Sequence, residues 1–258
     1  MAATGLVADV ARRLAAHGIP VMPVKGALLQ HWLYQDPSDR PLTDVDALVR
    51  PEQLEKAAAA LLREGYSHAA GSTVGALVLE TPFGLALDLH PRLFDDARYR
   101  IPTSDLFARS SEDTSIYGVS VRLPSALDAY AHLIGKFGSD HLDQRAIGRL
   151  DELARMATRI EASPKSTARH LVHCGMRRVA RYTLPLVQQC CADPFAQQVL
   201  ENLPPDAIGT GVAALARKAI AGRPAESRLA ALFAHALNDS LPRGVYSGSR
   251  ALLKRSGF

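Results

Sequence analysis

One stretch constrains the fold of this chain more than any other: Lys25 to Arg50, KGALLQHWLYQDPSDRPLTDVDALVR. Just ahead of it, Val21, Met22 and Val24 read as an apolar strand that ends at Lys25-Gly26. A helix over Ala27 to Tyr34 follows, then turn chemistry over Asp36 to Pro41, then a second strand that carries Asp44 and Asp46. Alternate side chains of a strand share a face, so both Asp point one way while Val45 points into the core. Two neighbouring carboxylates flanked by apolar residues repel each other unless a cation neutralises them. Hard oxygen ligands of this kind suit Mg²⁺, which takes one or two carboxylates and fills its other positions with water and substrate phosphate. Gly26 permits a close backbone approach, and the helix it opens aims free N–H groups at an anion. Carboxylates for a metal, facing a helix start that suits phosphate, point to nucleotide chemistry.

Four further residues extend this constellation. Asp88, in LALDLHPRL, lies on a half-buried strand and shares a face with Ala86 and His90. A partnerless Asp on such a face is disfavoured, which makes Asp88 the third carboxylate; in two-metal phosphoryl transfer such a group helps to deprotonate the attacking hydroxyl or holds the metal that does so. His90 is expected to support it or to touch substrate. Lys25 sits beside the helix start as a point charge for phosphate, and Arg40, one short turn before Asp44, is within reach of phosphate or of Asp44 itself. Three clustered anions disfavour the folded state when no cation is bound. Asn at Asp44, Asp46 or Asp88 is therefore expected to leave stability equal or higher.

The order of these motifs carries a family resemblance. A glycine at a strand–helix junction, then Asp-x-Asp on a strand, then a later carboxylate strand resembles the nucleotidyltransferase superfamily of DNA polymerase β. More closely, VKGALL, LYQDPSDRPLTDVDALV and LDLHPRL resemble a poorly characterised bacterial branch that has Lys-Gly in place of Gly-Ser and an acidic residue two before a His. The resemblance covers roughly Ile19 to Leu93, with a fainter echo from Leu123 to Ala157. It implies a Mg²⁺-dependent enzyme that uses an NTP, ATP in the first instance. Asp44, Asp46 and Asp88 would be its catalytic metal ligands, and Lys25, Gly26, Arg40 and His90 its nucleotide contacts. Lys25-Gly26-Ala27 lacks the phosphate-binding Ser of most relatives, and the interval from Gly26 to Asp44 is longer than theirs.

Elsewhere the pattern changes. Strands are expected over Val74–Glu80, Leu85–His90 and Ser115–Leu123, with Arg92 to Ser111 polar and irregular. From Pro124 the spacing is helical: Ala126–Phe137, Leu142–Ile160, Lys165–Gln189, Pro194–Asn202, Ala207–Ala221 and Arg223–Leu237, before the basic tail SLPRGVYSGSRALLKRSGF. The fold class expected is α+β: a nucleotidyltransferase-like mixed sheet with helices over 1–123, then an all-α domain over 124–258 that completes the cleft.

Charge is divided in the same way, with 11 Lys and Arg against 15 Asp and Glu up to residue 120, and 19 against 11 beyond it. The acidic half suits a metal site, and the basic half suits phosphate or an acidic partner. Three cysteines, two of them adjacent at Cys190-Cys191, give no disulfide framework and fit a reducing cytoplasm. No apolar run reaches membrane-spanning length, so no membrane partner is expected. His132, His141, His170, His173 and Cys174 lack a repeated ligand spacing and read as core or surface residues. Arg177, Arg178 and Arg181 read as a solvated basic face. Aromatic content of 6% without aromatic–basic interleaving favours a small-molecule, peptide or protein acceptor over a nucleic acid. The rival reading is a non-catalytic nucleotide-binding protein, or a toxin–antitoxin component, on a degenerate fold of the same kind.

Overall fold

The computed structural model describes residues 2–69, 76–94, 98–139, 144–222 and 237–239. Its first layer is set by apolar periodicity. In α1 (Ala2–Ala15), Leu6, Val7, Val10 and Leu14 form one buried stripe. Five strands make the sheet beneath: β1 (Met22–Pro23), β2 (Asp44–Leu48), β3 (Ser67–His68), β4 (Leu77–Glu80) and β5 (Ala86–His90). Their spatial order is β1-β2-β5-β4-β3, with β2 and β5 parallel and every other pair antiparallel. The sheet is therefore mixed. Parallel neighbours require a crossover, and α3 (Leu54–Arg63) lies on the connection between β2 and the later strands. One sheet face presents Val45, Ala47, Val49, Leu87 and Leu89 to the stripe of α1 and to Ala57 and Leu61 of α3. By the period of two, the opposite face carries Asp44, Asp46, Asp88 and His90.

Between β1 and β2 run α2 (Lys25–Leu33) and a short 3₁₀ turn over Pro37–Asp39, where the Asp36 carboxylate accepts from the Ser38 N–H at 2.8 Å. The segment read as irregular contains a helix, α4 (Thr103–Arg109). Seven residues are too few to show a period. It is held by tertiary contacts: Leu106 and Phe107 are buried, Thr103 Oγ1 donates to the Pro91 carbonyl at 2.7 Å, and Arg109 forks onto Asp128 at 2.9 and 3.0 Å. The strand expected over Ser115–Leu123 is a hairpin instead, β6 (Ser111–Asp113) paired with β7 (Val121–Leu123). Asp113 accepts from the Ser115 and Ile116 N–H groups and so fixes the turn where a strand was expected.

Among the described residues no strand follows Leu123. Six helices do: α5 (Ala126–Phe137), α6 (Gln144–Ala157), α7 (Pro164–His173), α8 (Arg177–Cys191), α9 (Pro194–Asn202) and α10 (Ala207–Gly222). The chain divides into two compact units, Met1–Asp95 with Ile101–Ala129, and Asp96–Arg100 with Tyr130–Phe258. The long helix expected over Lys165–Gln189 is two helices, broken where Gly175 adopts φ +70° and the Gly175 and Met176 N–H groups return to Val172 and Leu171. Arg178 is not part of a solvated face: it is 6% exposed, bonded to Asp206 at 3.1 Å and to the Asn238 carbonyl at 2.5 Å. The helix expected over Arg223–Leu237, save Leu237, lies outside the described residues, as do the basic tail and His141.

Tyr117 ties α2 to its surroundings. Its buried hydroxyl donates to the Ala27 carbonyl at 2.7 Å, and its ring meets His31 edge-on at 5.2 Å. Tyr117→Phe removes that bond alone and is expected to cost about 1 kcal/mol in urea unfolding. An unchanged midpoint would show that Tyr117 does not hold α2 in place.

Candidate functional site

The site is assembled at the junction of β1, α2 and β2. The Val24 N–H donates to the Asp46 carbonyl at 3.1 Å, which fixes the start of α2 beside the carboxylate strand. Lys25, the next residue, has φ +50°, in the left-handed region that costs a non-glycine residue about 1–2 kcal/mol. From this strained position its ammonium forms an ion pair with Asp46 Oδ1 and lies 3.2 Å from His90 Nε2. His90 Nε2 is in turn 2.7 Å from the same Asp46 oxygen. One ring nitrogen cannot both donate to Asp46 and accept from Lys25, so only one of its two contacts is a hydrogen bond at any moment.

Strand register brings in the third group. β2 and β5 run parallel with Asp46 directly opposite Asp88 and Leu48 opposite His90. One ligand atom from each of Asp46, Asp88 and His90 falls within 4.8 Å of the others, which makes them the only group placed to share a metal ion among the described residues. The helical histidines and cysteines form no such group there. Asp44 lies two residues up the same strand face and is half-buried, with Thr43 Oγ1 3.4 Å from its carboxylate; it stands outside the three-residue group.

The two central carboxyls are pushed in opposite directions. Burial works to raise the Asp46 pKa, but the hydrogen bond from His90 and the charge and hydrogen bond of Lys25 together outweigh it and hold the group below its ordinary value. Burial, and then the Asp46 charge, raise Asp88; Asp44 adds a smaller push, and His90 and Lys25 oppose it. The two neighbouring carboxyls are thus driven apart by their surroundings, Asp46 towards the anion and Asp88 towards the neutral acid.

Gly26 is needed for close approach of side chains. A Cβ there would lie 2.5 Å from Leu42 Cδ2 and 2.6 Å from Arg40 Nη1. Arg40 is thus delivered over the helix start, next to Lys25, and Leu42 anchors the loop that carries it. Leu42 was not among the residues expected from sequence. The signal available was a lone apolar side chain in an otherwise polar turn, DPSDRPLTD. The left-handed Lys25 had no signal at all, because Lys rarely adopts that conformation.

The expectation that all three Asp are uncompensated is corrected by this geometry. Asp46 is 6% exposed and has two nitrogen partners, so Asp46→Asn removes the charge that Lys25 and His90 are arranged around and is expected to cost about 1–3 kcal/mol. Asp88→Asn is expected to raise stability without metal. The sign follows from linkage. The raised Asp88 favours the fold fully below the ordinary carboxyl pKa and loses that contribution as pH rises through its folded value. Asp46 does the reverse: its contribution is present above the ordinary value and is lost as pH falls through the lowered one. The melting-temperature gain of Asp88→Asn over the unsubstituted protein should therefore grow as pH rises from about 4, the ordinary carboxyl value, through the raised folded value of Asp88. A constant or negative difference would contradict the assignment.

The family described as uncharacterised nucleotidyltransferase matches residues 1–191, which include every residue of this site. None of the curated proteins matches the chain. Among solved structures, the chain is similar to an antigenic nucleotidyltransferase-like protein from Paracoccidioides brasiliensis, at 14% identity and a TM-score of 0.43, over 81% of this chain and 96% of that one. The family match spans well over half of the sequence. The chain belongs to the uncharacterised nucleotidyltransferase family.

Proposed function

We propose that this protein moves a nucleoside monophosphate from an NTP, with ATP the first candidate, to an acceptor hydroxyl, and releases pyrophosphate. The observation that carries this reading is the in-register pair Asp46–Asp88, with carboxyls driven apart in pKa, in a member of a nucleotidyltransferase family. The donor set fits a divalent cation: two carboxylates and an imidazole within 4.8 Å of one another. Asp46 and Asp88 would hold Mg²⁺, with His90 the third donor and Asp44 adding negative charge at the edge. Such an ion, when bound, neutralises phosphate charge and polarises the phosphoryl group.

The remaining roles belong to the chain's own side chains. Lys25 and Arg40, both at the start of α2, would grip the outer phosphates. Asp88 is the base of the pair, because Lys25 and His90 already occupy Asp46. It would take the proton of the acceptor hydroxyl as the oxygen attacks the α-phosphorus and the bond to the β-phosphate oxygen breaks. The low aromatic content favours a small-molecule, peptide or protein acceptor over a nucleic acid.

A second reading has its own observation. Lys25 and His90 already satisfy Asp46, as they would in a protein that binds nucleotide without turning it over. Incubation with a metabolite or lysate pool, Mg²⁺ and each NTP labelled at the α-phosphate separates the two. Mass spectrometry is expected to find the label on an acceptor. Tight NTP binding in calorimetry with no labelled product would favour the binding protein. Gly26→Val should displace Arg40 and weaken NTP affinity about tenfold while the fold persists. An unchanged affinity in a folded variant would remove this stretch from the site.

A further inference from the structure

We propose that Lys25 is a resident counter-ion, which competes with the divalent cation for the Asp46 carboxylate and transfers to the phosphates when nucleotide binds. The inference rests on the metal-site reading above and adds a regulation to it: metal and nucleotide are coupled through one lysine. Lys25 pairs with Asp46 Oδ1, an oxygen within the group formed by Asp46, Asp88 and His90. Its ammonium also stands 3.2 Å from His90 Nε2, so it is near two of the three donors at once. A dication placed among those donors would meet a like charge at close range in a partly desolvated setting, and one of the two cations must leave.

The geometry allows only Lys25 to leave easily. Its side chain is 27% exposed, whereas those of Asp46 and His90 are 8% and 14% exposed. A lysine carries its charge on a flexible four-carbon stem and tolerates solvent, so release strands no group in the protein. The released ammonium is attached to the first residue of α2, beside Gly26 and the Arg40 guanidinium. That is where a triphosphate would offer new negative charge. The left-handed backbone of Lys25 is maintained against its conformational cost, as expected for a residue held at a functional turn.

This arrangement predicts opposite effects on two ligands. Replacing Lys25 by Met keeps the stem and removes the charge. In the full chain without nucleotide, Lys25→Met is expected to bind Mn²⁺ about tenfold more tightly than the unsubstituted protein, measured by electron paramagnetic resonance. At saturating Mn²⁺, the same variant should bind a non-hydrolysable NTP about tenfold more weakly. Lys25→Gly, which also removes the backbone strain, should tighten Mn²⁺ binding in the same direction and decides the matter if Lys25→Met does not fold. Equal or weaker Mn²⁺ binding by the variants overturns the counter-ion role and leaves the metal site standing. No Mn²⁺ binding by any of the proteins, the unsubstituted one included, overturns both.

Discussion

The Asp46 carboxylate and its two nitrogen partners are the interaction around which the first unit is arranged. Asp46 sits at the centre of a parallel strand pair, and its own carbonyl receives the Val24 N–H just before α2 begins. One residue thus aligns the sheet, the helix start and the charge of the site. A buried carboxylate without partners would either take up a proton or weaken the fold. Lys25 from the helix start and His90 from the neighbouring strand prevent both outcomes. The strained Lys25 backbone is explained in the same terms, since it is from this conformation that the ammonium reaches Asp46.

The second carboxylate owes its character to the first. Asp88 faces Asp46 across adjacent strands, and the fixed negative charge of Asp46, added to burial, makes Asp88 reluctant to ionise. Two carboxyls brought together in this way are what the proposed transfer needs to hold a cation. Strand register places the two carboxyls side by side, and burial, Lys25 and His90 set them apart. A slip of one residue would turn Asp46 towards the core and bring Val45 into the site.

Much of this is legible in the amino-acid sequence. The alternation DVDALV placed Asp44 and Asp46 on one strand face, and LALDLH placed Asp88 and His90 on another, because the period of two leaves no other reading of half-buried strands. Spacing cannot say which strands become neighbours, so the direct pairing of Asp46 with Asp88, and the outlying place of Asp44, emerged only from the fold. The compensation of Asp46 was missed for a related reason. Lys25 lies 21 residues away, and a left-handed lysine has no residue-level signature. In the helical half, the period found most helices but not the break at Gly175, nor the burial of Arg178, whose partner Asp206 is distant in sequence. The short helix Thr103–Arg109 depends on tertiary contacts that no local pattern records.

The central claim is that Asp46 and Asp88 together receive a divalent cation that accompanies an NTP. Anomalous diffraction at the manganese edge, from crystals grown with Mn²⁺ and a non-hydrolysable NTP, tests it most directly. A peak bonded to both carboxylates, with the triphosphate reaching towards Lys25 and Arg40, is the result this account predicts. A nucleotide bound elsewhere, or bound here with Lys25 still paired to Asp46 and no peak between the two strands, would contradict it.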